Sequence, residues 1–126
     1  MEISPHRILL VDDDVHLLNM AEKIIERLGY NVIAHTNSDD ALQIFKDLPS
    51  QFDLVITDYR MPGMNGAELS REILKVAPDI PIIMCSGFTS EFSGEDADAL
   101  GIKRFIRKPL MKKDFALLIE DALSEN

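Results

Sequence analysis

A chain of 126 residues and 14.2 kDa is one domain's worth of protein, too small to hold a catalytic module beside a separate regulatory one. Hydrophobic residues at 46% with only six Gly and six Pro exclude a disordered, collagenous or low-complexity chain. A net charge of −9 repels nucleic acid and anionic lipid, no apolar run reaches the length of a bilayer span, and the first residues lack the apolar core of a signal peptide. Residues 1–126 therefore read as a single cytoplasmic domain with no nucleic-acid or membrane contact, about the first six (1–6) being a disordered or vector-derived N-terminus. The lone Cys85 cannot form an internal disulfide, suits a reducing compartment and, inside the apolar run 82–85, reads as a small core residue.

The apolar pattern alternates between short continuous runs and longer stretches of helical period, as βα units do, and five such units fit. Residues 8–11 have no polar alternation, as expected of a strand covered on both faces, and run into Asp12-Asp13-Asp14. Leu17, Leu18, Ala21, Ile24, Ile25 and Leu28 then recur at helical spacing, with Gly29 as the stop. Residues 31–35 make a weaker second strand, and Asn37 or Ser38 caps a helix carrying Ala41, Leu42, Ile44, Phe45 and Leu48, closed by Pro49. Residues 54–56 are a third strand with Asp58 just past its end. The turn-rich loop 61–66 leads to a helix through Leu69, Ile73, Leu74 and Val76 that ends before Pro78. Pro81 opens a fourth strand, 82–85, which runs out into Ser86-Gly87. The acidic, glycine-containing segment 90–100 supports only a short, mobile helix. Residues 104–107 are the fifth strand, Lys108-Pro109 follow it, and Phe115, Leu118, Ile119 and Ala122 stripe a last helix.

Alternating strands and helices with short connections imply a parallel sheet with right-handed crossovers and helices on both faces, a doubly wound α/β fold. Such folds bind at the carboxyl ends of their strands. Those ends present Asp12 and Asp13, then Asp58, then Ser86 with Gly87, then Lys108. Three converging carboxylates raise one another's pKa unless a cation sits among them, and carboxylate oxygens with room for water suit Mg²⁺. A Lys, a Ser hydroxyl and a backbone N–H beside Gly87 suit the oxygens of a phosphoryl group. None of His6, His16 and His35 is placed as a base for Ser86, so a carboxylate is the nucleophile on offer, giving an aspartyl phosphate. Positioning and charge neutralisation carry such a transfer.

Four motifs stand in order at these strand ends: Ile8-Leu9-Leu10-Val11-Asp12-Asp13-Asp14, Asp53-Leu54-Val55-Ile56-Thr57-Asp58-Tyr59-Arg60-Met61-Pro62-Gly63-Met64-Asn65-Gly66, Ile82-Ile83-Met84-Cys85-Ser86-Gly87, and Gly101-Ile102 through Phe105-Ile106-Arg107-Lys108-Pro109. Together they resemble the receiver domain of two-component response regulators, over residues 7–123. The resemblance implies a flavodoxin-like (βα)5 sandwich with a five-stranded parallel sheet in the order 2-1-3-4-5. It implies Asp58 as the phosphoacceptor, with Asp58 and Asp13 as direct Mg²⁺ ligands, Asp12 as a ligand through water and the backbone carbonyl of Arg60 as a further one; Mn²⁺ would substitute. Ser86, Gly87 and Lys108 would hold the phosphoryl group, Ser86 and Phe105 would switch conformation, and a cis peptide at Lys108-Pro109 would aim the Lys. The implied partners are a histidine kinase or histidine phosphotransfer domain and a downstream output domain or protein. No enzyme activity is implied beyond promotion of the domain's own phosphorylation and dephosphorylation, although a longer chain carrying it can be a histidine kinase. Ser86 stands where many members have Thr, and Gly87 where Ala is usual. The wording Cys85-Ser86-Gly87-Phe88 looks more like receivers of hybrid sensor kinases than like the chemotaxis type.

Taken singly these residues have ordinary readings: Asp13 as a helix N-cap, Asp12 as a solvated loop acid, Asp58 as turn chemistry, Lys108 as a surface lysine and Phe105 as core. Taken jointly, each at a strand's carboxyl end, they point to one site. Phe88 reads as a shield over the phosphoryl group or as packing against the acidic helix. Lys103, Arg104, Arg107, Lys112 and Lys113 read as a basic patch, solvated or facing an acidic partner. A small Mg²⁺-dependent phosphatase competes, but it needs Asp-x-Asp followed two residues on by Thr or Val, where this chain has His16. A flavodoxin-like cofactor carrier would place its flavin phosphate against three Asp. The remaining competitor is a phosphorylation-independent docking module.

Overall fold

The computed structural model describes residues 6–87, 92–108 and 110–124. All five βα units form: β1 (Arg7–Val11), α1 (Val15–Arg27), β2 (Asn31–His35), α2 (Ser38–Asp47), β3 (Leu54–Asp58), α3 (Gly66–Val76), β4 (Ile82–Ser86), α4 (Gly94–Ala99), β5 (Arg104–Arg107) and α5 (Lys112–Ser124), with a 3₁₀ turn at Pro49–Gln51. The strands are all parallel, in the order β2-β1-β3-β4-β5. Composition explains the order. Every residue of β3 and β4 and all of β1 after Arg7 is buried, whereas β2 and β5 carry Asn31, Arg104 and Arg107 and sit at the edges, where one side meets solvent.

Alternate strand residues feed two cores. Ile8, Leu10, Leu54, Ile56, Ile83 and Cys85 face α1 and α5 through Leu18, Ile25, Phe115 and Ile119. Leu9, Val11, Val55 and Met84 face α2, α3 and α4 through Phe45, Leu69, Ile73 and Ala97. Ile25, Phe45, Leu69, Ile73 and Ile119 are wholly enclosed, and each such side chain is worth about 1.5–3 kcal/mol relative to exposure.

Helix ends follow local chemistry. Asn37 rather than Ser38 caps α2, its side chain accepting the Asp40 N–H, while the Ser38 hydroxyl donates to the Met64 carbonyl at 2.8 Å. Gly29, just past α1, has φ +101°, a conformation that favours glycine. Asn65 begins α3 with a reciprocal pair: its side chain accepts the Glu68 N–H at 2.9 Å, and Glu68 accepts the Asn65 N–H at 3.1 Å. Asn65→Ala is expected to cost about 1 kcal/mol of stability, read as a lower urea midpoint at unchanged slope.

Three expectations change. Asp58 is the last residue of β3 rather than just past a strand ending at residue 56, because the ladder pairs it with Cys85 and continues through the Tyr59 N–H to the Cys85 carbonyl at 2.8 Å. Ser86 likewise closes β4. Arg104 does not join a surface basic patch: it is 7% exposed, and its Nε donates to Asp121 Oδ2 on α5 at 2.8 Å. The short helix expected before β5 does form, as the six-residue α4, started by a Ser93–Asp96 capping box.

Candidate functional site

The strand order reverses between β1 and β3, so the loops after those two strands diverge and leave a crevice at their carboxyl ends. Asp12 and Asp58 stand on its two sides. The Asp12 N–H still donates to the His35 carbonyl at 3.3 Å, which keeps the residue in line with the sheet. Its Oδ1 accepts the Asp14 N–H at 3.0 Å. Asp14 then caps α1, accepting the N–H groups of His16 and Leu17 at 3.0 and 3.1 Å. Both ordinary readings of the first loop therefore fail: Asp14 holds the cap that Asp13 was a candidate for, and Asp12 is buried rather than solvated. One oxygen from each of Asp12, Asp13 and Asp58 lies within 4.8 Å of the other two.

Lys108 enters from the end of β5, where its N–H donates to the Ser86 carbonyl at 2.8 Å. Its Nζ bonds Asp12 Oδ2 at 3.0 Å and lies 3.3 Å from Asp58 Oδ1, both partners largely buried. Lys108 is thus no ordinary surface lysine. One ammonium faces three carboxylates, and burial with this charge imbalance shifts both Asp58 and Lys108. Asp58 is pushed from 3.8 up to about 6, mainly by burial; Lys108 pulls it down, while the charges of Asp12 and Asp13 push it further up. For Lys108 burial acts to lower the pKa, but the hydrogen bond and charge of Asp12, with the charge of Asp58, outweigh it and hold the ammonium above its ordinary range. Cys85, the register partner of Asp58, is enclosed in β4, and burial pushes its thiol up to about 12; it is core, not a nucleophile.

Ser86 is 1% exposed, and its Oγ has no hydrogen-bond partner among the described residues. A buried hydroxyl left unpaired costs about 1–3 kcal/mol, which fits a side chain whose partner arrives with a ligand. Gly87 and Arg60 line a cleft of about 300 Å³ together with Asp12, Asp13, Asp58 and Lys108. Phe105 is half-buried in the α4 side of the sheet and belongs to an aromatic row: Tyr59 stacks on Phe92 at 4.3 Å, and Phe92 meets Phe105 at 5.8 Å. Pro109, with its expected cis peptide, and Phe88 lie outside the described residues.

Two residues have a place in this arrangement that the sequence did not assign them. Gly66 opens α3 against the backbone of β3, its N–H donating to the Tyr59 carbonyl at 2.7 Å, with no room for a Cβ beside the Asp58 carbonyl. Its signal was available: glycine at a helical position where alanine is the better helix former asks for a packing reason. Arg107 reaches back to the Gly87 carbonyl at 3.1 Å, a contact across twenty residues that no local pattern announces.

The response regulator receiver domain family matches residues 8–120. The chain belongs to this family. Among its relatives, the receiver domain is 38% identical to the chemotaxis protein CheY of Thermotoga maritima over 104 residues, covering 82% of this chain and 85% of that protein. It is 33% identical to the response regulator receiver protein CpdR of Brucella abortus over 117 residues, covering 93% of this chain and 96% of that protein. The crystal structure of a response regulator receiver domain protein from Clostridium thermocellum superimposes with a TM-score of 0.90 at 29% identity, covering 95% of each chain. The chain spans about a fifth of the length of the plant response regulators it matches, and 12% of a sensor kinase from Brucella abortus to which it is 30% identical over 118 residues. Receiver domains bind Mg²⁺ through acidic residues, and Asp12, Asp13 and Asp58 form an acidic cluster of that kind here.

Proposed function

We propose that this receiver domain accepts a phosphoryl group on Asp58 from a phosphohistidine, and that the new charge switches its conformation. The observation that carries the reading is the meeting of Asp58 with Lys108 at 3.3 Å inside a cluster of three carboxylate oxygens within 4.8 Å of one another. The Asp58 carboxylate attacks phosphorus, an O–P bond forms as the N–P bond to the imidazole breaks, and the imidazole leaves with the bonding pair. The donor set fits a hard divalent cation: acceptor oxygens only, an excess of negative charge, and an Asp58 whose pKa is raised without one. Asp13 and Asp58 would hold Mg²⁺ directly, Asp12 through water and Arg60 through its carbonyl, with Mn²⁺ as a substitute. The bound ion supplies charge neutralisation for the phosphoryl oxygens.

The chain's own groups do the rest. Lys108 stands ready to exchange its bond with Asp12 for one with a phosphoryl oxygen, the unpaired Ser86 hydroxyl donates to another, and the Gly87 N–H provides a third contact. Drawing Ser86 inward alters the space beside Phe105 on the same face of the sheet, and the aromatic row gives β5 and α4 two arrangements for a partner to read. The donor is a histidine kinase or histidine phosphotransfer domain, the reader is an output domain or protein, and the cytoplasm is where they meet. The occurrence of a matching segment within a sensor kinase supports this pairing. The domain acts on itself and turns over no separate substrate.

Intact-protein mass after incubation with Mg²⁺ and a small acyl phosphate tests the reading. Wild type is expected to gain one phosphoryl group and Asp58→Asn none. A folded wild type that gains nothing would leave the phosphorylation-independent docking module in its place.

A further inference from the structure

We infer that Arg107 is a positioning residue for phosphoryl binding, gripping the Gly87 carbonyl and so restraining the residue whose N–H faces Asp58. The inference deepens the phosphoacceptor reading and rests on it. Gly87 is the residue least able to hold its own conformation: it has no side chain, and a Cβ built there would meet nothing within 4 Å. Two contacts from the end of β5 fix it instead. The Lys108 N–H donates to the Ser86 carbonyl at 2.8 Å, drawing that carbonyl toward β5. A planar trans peptide carries its N–H opposite its C=O, so the Gly87 N–H is turned the other way, toward β3 and Asp58. Arg107 Nη1 then donates to the Gly87 carbonyl at 3.1 Å, beyond the Gly87 Cα, so the residue is held from both of its peptides. With the peptides on both sides of its Cα held, Gly87 loses the φ and ψ freedom that a glycine otherwise keeps.

The guanidinium is itself held, lying over the Phe105 ring at 5.0 Å from its centroid. Arg107 therefore ties together the backbone that meets the phosphoryl group and the half-buried aromatic of the switch. Its charge alone would attract an anion without any of this geometry, and the test has to separate the two.

Selective ¹⁵N-glycine labelling gives amide signals for six glycines, and Gly87→Ala assigns the relevant one. Beryllium fluoride with Mg²⁺ serves as the phosphoryl stand-in, titrated while the Gly87 amide is followed. Arg107→Ala is expected to move the Gly87 amide before any ligand is added and to raise the half-saturating beryllium fluoride roughly three- to tenfold, with the Mg²⁺ midpoint in its absence unchanged. Arg107→Gln, which keeps an N–H donor and loses the charge, is expected to recover part of the loss at high salt. Saturation of Arg107→Ala at the wild-type concentration overturns the proposal. So does full recovery by Arg107→Lys with none by Arg107→Gln, which would reduce Arg107 to a charge. A wild type that takes up no beryllium fluoride overturns the phosphoacceptor reading and this inference with it, an outcome distinct from equal uptake by wild type and variants.

Discussion

Gly66→Ala is expected to cost the receiver domain roughly 3 kcal/mol or more and to disorder the phosphoacceptor, although alanine is the better helix former. Gly66 is the first residue of α3, and the helix presses its backbone directly onto the end of β3. A Cβ at this position would run into the Asp58 carbonyl oxygen and lie 2.9 Å from Tyr59 Cα. Neither atom can yield. Asp58 pairs with Cys85 in the ladder, the Tyr59 N–H is bonded to the Cys85 carbonyl at 2.8 Å, and the Thr57 hydroxyl donates to that same Asp58 carbonyl at 2.9 Å. Relief has to come from lifting α3, with loss of the bond from Gly66 N–H to the Tyr59 carbonyl, or from moving Asp58 itself. Gly87→Ala is the control on the same rim, since a Cβ there meets nothing. Urea unfolding of both variants checks the contrast, with the Mg²⁺ midpoint of Gly66→Ala as a second reading. A Gly66→Ala midpoint within roughly 0.5 kcal/mol of wild type would show that the contact is soft.

The contrast between Gly66 and Gly87 shows where sequence reasoning stops. Both glycines stand in motifs that were legible, as were the five units, the strand-end acids and Lys108, because each rests on a local rule: hydrophobic period, turn chemistry, or position at the end of an apolar run. The strand order was implied by resemblance and is explained by β2 and β5 carrying the polar residues. What one glycine meets in space, and the other does not, belongs to packing between elements far apart in the chain. The sequence does not say which of three acids caps α1, for a related reason. Asp12, Asp13 and Asp14 are the same residue type in succession, and only the register of β1 against β2 decides which is buried, which faces the cleft and which caps the helix. Arg104 misled through composition: charge in an edge strand suggests surface, but its side chain alternates inward and is neutralised by Asp121.

Removing the Asp58 charge is expected to stabilise the metal-free domain at neutral pH. The folded-state value of about 6 lies above the ordinary value of 3.8, so the folded domain keeps a proton that the unfolded chain has already released across that interval. Stability contributed by Asp58 is therefore fully present below about 3.8, declines as pH rises through the interval, and stays lost above about 6. The raised value of Lys108 acts with the same sign, its stability being lost as pH rises, but above 10.5, well outside this window. Asp58→Asn should exceed wild type at pH 7 by about 1–2 kcal/mol, allowing for solvent screening, and lose its advantage below pH ~4. Subtracting the two pH profiles, measured in chelator, isolates Asp58 from the other carboxylates. Divalent metal then reverses the order: it stabilises the ionised form that the folded domain tolerates poorly, so millimolar Mg²⁺ raises wild type by an amount that grows from pH 5 to pH 7, and the Asn variant far less. The same shift predicts that acyl phosphate labels Asp58 poorly below pH ~6 at low Mg²⁺, since a protonated carboxyl is a weak nucleophile, and that more Mg²⁺ moves this limb to lower pH. An Asn variant less stable than wild type at pH 7 in chelator would mean that Lys108 more than compensates the buried charge. The cleft would then be a settled ion pair, whereas a site strained toward a cation requires the order predicted here.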